Sequence, residues 1–271
     1  MDNKVELLGW YGGDKRVCLS AWQSTTEELG ITLPDNIPDR VDFIFNYLAS
    51  QKKKSPYDLL NFLAKENHGT PFEKAILDFQ ITGDLASHIH SLKHRLSAIN
   101  GESARYKEFV QDKYYLPKDW IGIKPTPNYD DKCFSLFMGS DEIVGDDQSK
   151  YVSNRLMTLN ADWYDVLKAY TELGFKLYHS AIKDISAVLP RKRAKESARY
   201  FLGYNTQLNY DWQMNFRSFV NIQQLRNDLH AQEEIHYITN TMLYLVENIE
   251  GNPFEYSLKA FDLKSDNNYL L

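Results

Sequence analysis

The segment Phe72–Thr82 places the firmest limit on how this chain can fold. Ala75, Leu77, Phe79 and Ile81 alternate with Ile76, Asp78, Gln80 and Thr82. That two-residue period is the mark of a strand. A second strand is read at Gln207–Asn215, far along the chain, and stretches of helical period separate the two. Strands and helices do not alternate regularly. The pattern therefore argues against a doubly wound sheet and predicts an α+β fold. We expect a mixed, mainly antiparallel sheet with long helices packed against it, in a single domain spanning residues 1–271.

Other segments are consistent with this. Val5 to Ala21 reads as a strand, a turn at Gly12-Gly13 and the start of a helix. Leu33 to Asp39 is turn-rich. Val41 to Ser50 reads as a helix with Phe43, Ile44, Tyr47 and Leu48 on one face. Ser55-Pro56 is a helix start, with serine as N-cap and proline in the first turn. That helix runs through Leu59, Leu60 and Leu63 to about Asn67. Asp84 caps a helix whose apolar line is Leu85, Ile89, Leu92 and Leu96. Residues 117–150 form a long irregular excursion rich in Pro, Gly and Asp. Ser153 to Leu189 is helical with a break at Gly174, and Arg217 to about Glu247 is one long helix.

Composition narrows the function. Hydrophobic residues make up 43% and charged residues 25%, as in a folded globular protein. The net charge of -6 argues against a nucleic-acid polymer as partner but leaves room for a nucleotide, which needs only a few local cations. Arg191-Lys192-Arg193-Ala194-Lys195 is the main basic run, either a solvated helix start or a phosphate-attracting patch. The 18 Tyr, 14 Phe and 5 Trp suit a Tyr-rich core or rings stacked on flat ligands. Cys18 and Cys133 lie in no Cys-x-x-Cys pair, which points to a reduced, cytoplasmic setting. No secretory h-region and no long apolar run is present, so no membrane association is expected.

Several common site types find no match. His90 and His94 share a helical face, but Ser91 stands where a His-Glu-x-x-His zinc motif needs glutamate. One Glu-x-x-His, at Glu233–His236, falls short of the two that a di-iron bundle requires. No metal site is expected. No Rossmann, Walker or nucleophile-elbow sequence appears.

Two segments do carry chemistry. Lys93-His94-Arg95 is followed, after seven residues, by Ser103, and then by Arg105-Tyr106. Such a cluster of cations, hydroxyls and a turn glycine suits an anionic ligand. In the segment Asn215–Gln232, Ile222, Leu225 and Leu229 form an apolar stripe. Arg217, Asn221, Gln224 and Asp228 share one polar face, and Arg226 and His230 share another. Separate polar faces suit either two ligands or salt bridges on both flanks.

These segments resemble the flavin-dependent thymidylate synthase family. The signature Arg-His-Arg, seven residues, Ser is met by His94, Arg95 and Ser103, with Lys93 in the first place. The pattern Asn-x-Arg-Ser-x-x-Asn, Leu-Arg-x-Asp, His-Ala-Gln is met by Asn215, Arg217, Ser218, Asn221, Leu225, Arg226, Asp228, His230, Ala231 and Gln232. His68-Gly69-Thr70-Pro71-Phe72-Glu73 and Glu196-Ser197-Ala198-Arg199 resemble two further blocks, in family order. The resemblance implies methylation of dUMP to dTMP, with methylenetetrahydrofolate as carbon donor, reduced FAD as reductant and NADPH as electron source. It implies a homotetramer with shared active sites. Thr70, Lys93, His94, Arg95, Asn215, Arg217 and Asn221 would hold FAD. Arg226 would be catalytic, favouring the ionised pyrimidine. His90, Ser103, Arg105, Arg199 and Arg226 would bind the nucleotide.

The chain departs from the pattern elsewhere too. His90 replaces a common Gln, Gly101 a usual Glu, and Leu202-Gly203 the usual Leu-Pro. These leave open dCMP or UMP as substrate, a hydroxymethyl product, or a non-catalytic flavin- or nucleotide-binding relative.

Overall fold

The structure is a computed structural model that describes residues 2–23, 26, 30–50, 55–103, 105–124, 161–228 and 230–269. In chain order the main elements are β1 (Lys4–Tyr11), α1 (Asp14–Trp22), α2 (Ile37–Ser50), α3 (Pro56–Lys65) and a 3-10 turn (Thr70–Lys74). Next come β2 (Ile76–Asp84), α4 (Leu85–Ser91), β3 (Ser97–Gly101), α5 (Trp163–Ile185) and α6 (Arg191–Ala198). The last are β4 (Gln207–Asn215), α7 (Phe216–Arg226), α8 (Glu233–Glu247) and α9 (Glu255–Ala260). These residues fall into two compact units. The larger comprises Asn3–Gly101 and Asn209–Leu271, and the smaller Met1–Asp2 and Glu102–Leu208.

The larger unit is built on a sheet ordered β1-β2-β4-β3, antiparallel at the β1–β2 and β3–β4 pairs. The α+β expectation holds. Leu77, Phe79 and Ile81 of β2 are fully buried, as alternation predicts, and Trp212 of β4 is equally buried. Phe79 stacks on Phe219 of α7, with centroids 6.2 Å apart, and α8 packs on β1 and β2. Helix α3 begins as its sequence dictates. Ser55 Oγ accepts from Asp58 N, and the Asp58 carboxylate accepts from Ser55 N, a reciprocal cap.

Helix α9 has no side-chain cap of its own. Its first-turn donors are met from the other end of the chain. Tyr256 N and Ser257 N donate to the Asp14 carboxylate at 2.7 and 3.0 Å, and Ser257 Oγ donates to it as well.

Several boundaries differ from the sequence reading. Strand β2 begins at Ile76, not Phe72, because Pro71 lacks an N–H and the segment before it closes as a 3-10 turn. Phe72 is buried between Phe216 and Phe261. Helix α2 starts earlier, at Ile37, with Pro38 in its first turn. Helix α4 stops at Ser91, so the line through Leu92 and Leu96 is not a buried face. The two are 51% and 79% exposed. Ser97–Gly101 instead forms β3, whose pairing with β4 outweighs its weak strand composition. The long C-terminal helix is two helices. α7 ends at Arg226, and Asp228 turns the chain by accepting from His230 N at 2.8 Å.

In the smaller unit, Phe175, Tyr178 and Ile182 of α5 form a core with Ala198 of α6, flanked by Phe109, Tyr114 and Leu202. Gly174 does not break α5. A Cβ there would stand 2.7 Å from the Phe201 carbonyl oxygen, so the glycine serves close packing. Residues 125–160, which include most of the irregular excursion, the start of the helix read from Ser153, and Cys133, lie outside the described residues.

Candidate functional site

A hollow of about 500 Å³ in the larger unit runs along α7, from Asn215 before its first residue to Arg226 at its last. Eleven helical residues span roughly 16 Å. From α7 and its cap come Asn215, Arg217, Ser218, Asn221, Leu225 and Arg226. The opposing wall is the α4–β3 connection, with Lys93, His94, Arg95 and Leu96, and the 3-10 turn adds Glu73. The Lys93–Arg95 triplet and the Asn215–Arg226 stretch therefore line one hollow.

Each wall has a local cause. Asn215 Oδ1 accepts from Ser218 N at 2.8 Å and starts α7. Ser218 Oγ donates to the Leu96 carbonyl at 2.9 Å, tying the helix to the connection. Arg217 Nη1 donates to Glu73 Oε1 at 2.7 Å. Gly69 makes room for that arginine, since a Cβ there would lie 2.6 Å from its Nε.

Arg226 is held differently. Its Nε donates to His94 Nε2 at 3.2 Å. Burial pushes the His94 imidazole below its usual pKa, and the nearby Arg226 and His90 push the same way. Among the described residues Arg226 makes no ion pair. Arg226 and Arg217 do not face apart as the helical period predicts. Both line one hollow, because a long side chain in the last turn reaches back to it.

The remaining candidates sit elsewhere. Thr70 is exposed at the start of the 3-10 turn and is not part of the lining. His90 lies in α4, its Nδ1 buried without a hydrogen-bond partner among the described residues. Ser103, Arg105 and Arg199 belong to the smaller unit. There Ser103 Oγ accepts from Arg105 N at 3.3 Å. Arg105 Nε donates to Glu196 Oε1 at 2.8 Å, which raises the arginine pKa and lowers that of the glutamate. Arg199 is exposed and opens a 3-10 turn after α6.

Sequence reasoning missed Glu73, Leu96, Ser218 and Leu225 as parts of the wall. Glu73 stood in a quoted block, and its charge opposite to Arg217 was the available signal. Leu96 and Leu225 fall on apolar lines at helical spacing, yet both are exposed, at 79% and 53%. Among the described residues no group of three or more His, Cys, Asp or Glu is gathered as a metal cluster. No helix among them is long and apolar enough to cross a membrane.

Known proteins resemble this chain in sequence and in fold. The flavin-dependent thymidylate synthase of Ehrlichia ruminantium (strain Gardel) is 26% identical over 191 residues, covering 70% of this chain and 55% of that protein. That of Rickettsia bellii (strain RML369-C) is 28% identical over 206 residues, covering 75% and 64%. The chain thus spans less than two thirds of these relatives. In fold it is similar to the UMP/dUMP methylase PolB from Streptomyces cacaoi bound with 5-Br UMP. The TM-score is 0.59 at 20% identity, over 96% of this chain and 94% of that one. With 5-Br dUMP bound, the same methylase gives a TM-score of 0.60 at 19% identity, over 96% and 95%. The sequence model of the thymidylate synthase complementing proteins matches residues 6–250, a span that includes every candidate site residue, and the chain belongs to that family.

Proposed function

We propose that the chain methylates dUMP at C5 to give dTMP, using methylenetetrahydrofolate as carbon donor, reduced FAD as reductant and NADPH as the source of electrons. The observation that carries this reading is the convergence of Lys93-His94-Arg95 and Asn215–Arg226 on one hollow. Its walls suit a flavin. Leu96 and Leu225 offer exposed apolar surface for a flat ring, while Lys93, Arg95 and Arg217 offer cations for its phosphates. When bound, reduced FAD supplies the electrons that bring the transferred carbon to a methyl group.

In this reading Arg226 keeps its full positive charge and stabilises negative charge on the pyrimidine ring. Ser103, Arg105 and Arg199 bind the nucleotide phosphate, and the protein is a homotetramer whose sites draw on neighbouring subunits. Cys18 is unsuited to act as a nucleophile on the pyrimidine. It is buried, and desolvation with Asp14 nearby pushes its thiol up to about 12. A second reading is that UMP is also methylated. The similar PolB fold, from a UMP/dUMP methylase, and His90 in place of the common Gln favour testing it.

The test is anaerobic incubation with reduced FAD, methylenetetrahydrofolate and dUMP, UMP or dCMP, followed by product mass. We expect dUMP to gain a methyl group most rapidly. A hydroxymethyl product, preference for dCMP, or no product from any of them would refute the reading. Co-expression of Arg105→Ala and Arg226→Ala chains tests site sharing. Mixed tetramers should regain activity that each variant alone lacks.

A further inference from the structure

Arg226 is oriented by a base, and the base is itself braced from the sheet. Trp212 lies fully buried in β4 and donates from Nε1 to Ser97 Oγ at 2.8 Å. Ser97 Oγ donates in turn to the His94 carbonyl at 2.5 Å. The Trp212 ring also lies against the imidazole, with centroids 5.9 Å apart. Backbone and ring of His94 are therefore both fixed by one core tryptophan.

An imidazole nitrogen that accepts a hydrogen bond carries no proton, so Nε2 is bare and Nδ1 holds the hydrogen. His94 has few charged neighbours to favour its protonation. Arg226 faces it from α7 and His90 from α4, and both oppose a positive charge. Lys93 and Arg95 flank it on its own connection and add further positive charge. Glu73, the carboxylate on the hollow, is paired with Arg217.

We propose that His94 is the positioning residue for Arg226. Braced by Trp212 and Ser97, the neutral imidazole aims the guanidinium into the hollow without cancelling its charge, and releases it on protonation. The proposal rests on the nucleotide role of Arg226 argued above. Protonation would replace the acceptor at Nε2 with a donor, and two cations would then face each other. Nucleotide binding should therefore weaken as pH falls through the His94 titration.

The test has two parts. Nitrogen-15 NMR of histidine in the nucleotide-free protein should show His94 as the Nδ1–H tautomer. Its titration midpoint should lie below about 6.5 and move up in Arg226→Gln. Calorimetry with dUMP should show affinity falling about tenfold across that titration. Ser97→Ala and Trp212→Phe should each weaken dUMP binding at pH 8 while bound FAD is unchanged. Ser97→Ala decides the matter if Trp212→Phe fails to fold. His94→Gln, which cannot titrate, should flatten the pH profile. An Nε2–H tautomer, a midpoint indifferent to Arg226, or a wild-type pH profile in His94→Gln would overturn the proposal. A wild-type protein that binds no dUMP at any pH would instead refute the nucleotide reading, with the tautomer and midpoint still deciding the His94–Arg226 clamp.

Discussion

Arg226 in the larger unit and Arg105 in the smaller are both held through Nε, but by opposite kinds of partner. Arg105 meets the carboxylate of Glu196 at 2.8 Å. Arg226 meets a neutral imidazole at 3.2 Å. A carboxylate fixes a guanidinium and offsets its charge, whereas an imidazole fixes it and leaves the charge whole. The settings differ too. Half of the Arg105 side chain is exposed, and exposed ion pairs are weak and screened by salt. An incoming anion can displace such a carboxylate. The contrast teaches that a neutral acceptor aims a cation while leaving its charge available, whereas an exposed carboxylate holds one in an exchangeable pair.

The largest expected effect breaks the contrast at its charged end. Arg226→Ala should lower the methylation rate by about 10²–10³-fold, the scale for removing one donor to a developing charge. FAD content should be unchanged. Arg226→Lys should recover little, because a point charge lacks the planar fork. Near-normal turnover in either variant removes Arg226 from the chemistry.

Asp14 extends the contrast to a buried carboxylate that faces backbone donors. Asp14→Ala leaves Tyr256 N and Ser257 N unmet, and should lower stability by about 3 kcal/mol in chemical denaturation. Its pH signature has a definite sign. Burial raises the Asp14 pKa from 3.8 to about 6. Between those values the native state keeps a proton that the unfolded chain gives up. The contribution of this group is thus greatest below pH 3.8 and is lost as pH rises through about 6. Asp14→Asn should remove that slope. A slope unchanged in Asp14→Asn would show that other groups cause it.

A smaller effect sharpens the comparison inside the hollow. Arg217→Ala should weaken FAD binding about tenfold in a folded protein. Gly69→Ala should act in the same direction, because the new methyl group displaces the Arg217 guanidinium. Equal FAD affinity in both variants and wild type would sink the flavin assignment of this wall. The smallest effect is expected at Glu196→Gln, which frees Arg105. Melting temperature should stay within error, and dUMP affinity should rise modestly at low salt. A fall in affinity would mean that Glu196 orients Arg105 rather than competing for it.

What the sequence revealed follows physical range. Strand β4 and the Ser55 cap were legible because alternation and capping are local codes. Strand β3 was not, since Ser, Ala, Asn and Gly have little strand preference and the segment is fixed by pairing with β4. The break after Arg226 was hidden because helical period continues across it, while the turn depends on Asp228 accepting a backbone N–H. Which residues share the wall of the hollow was partly legible through the spacing of His94, Arg95, Arg217 and Arg226. Which of them touch was not. The contact of Arg226 with His94 joins residues far apart in the chain and runs through a side chain that leaves its nominal helical face.

The larger unit is discontinuous in the chain: Asn3–Gly101 must wait for Asn209–Leu271. During synthesis at ~5–20 residues per second, the intervening segment delays completion by on the order of ten seconds. Through that interval β1 can pair with β2, but the other edge of β2 lacks β4, and Asp14 lacks the helix it will cap. An unpaired edge carrying Leu77, Phe79 and Ile81 invites pairing with other nascent chains. Folding yield should therefore depend on chaperone supply and on translation speed across residues 102–208 more than on the final stability of the sheet.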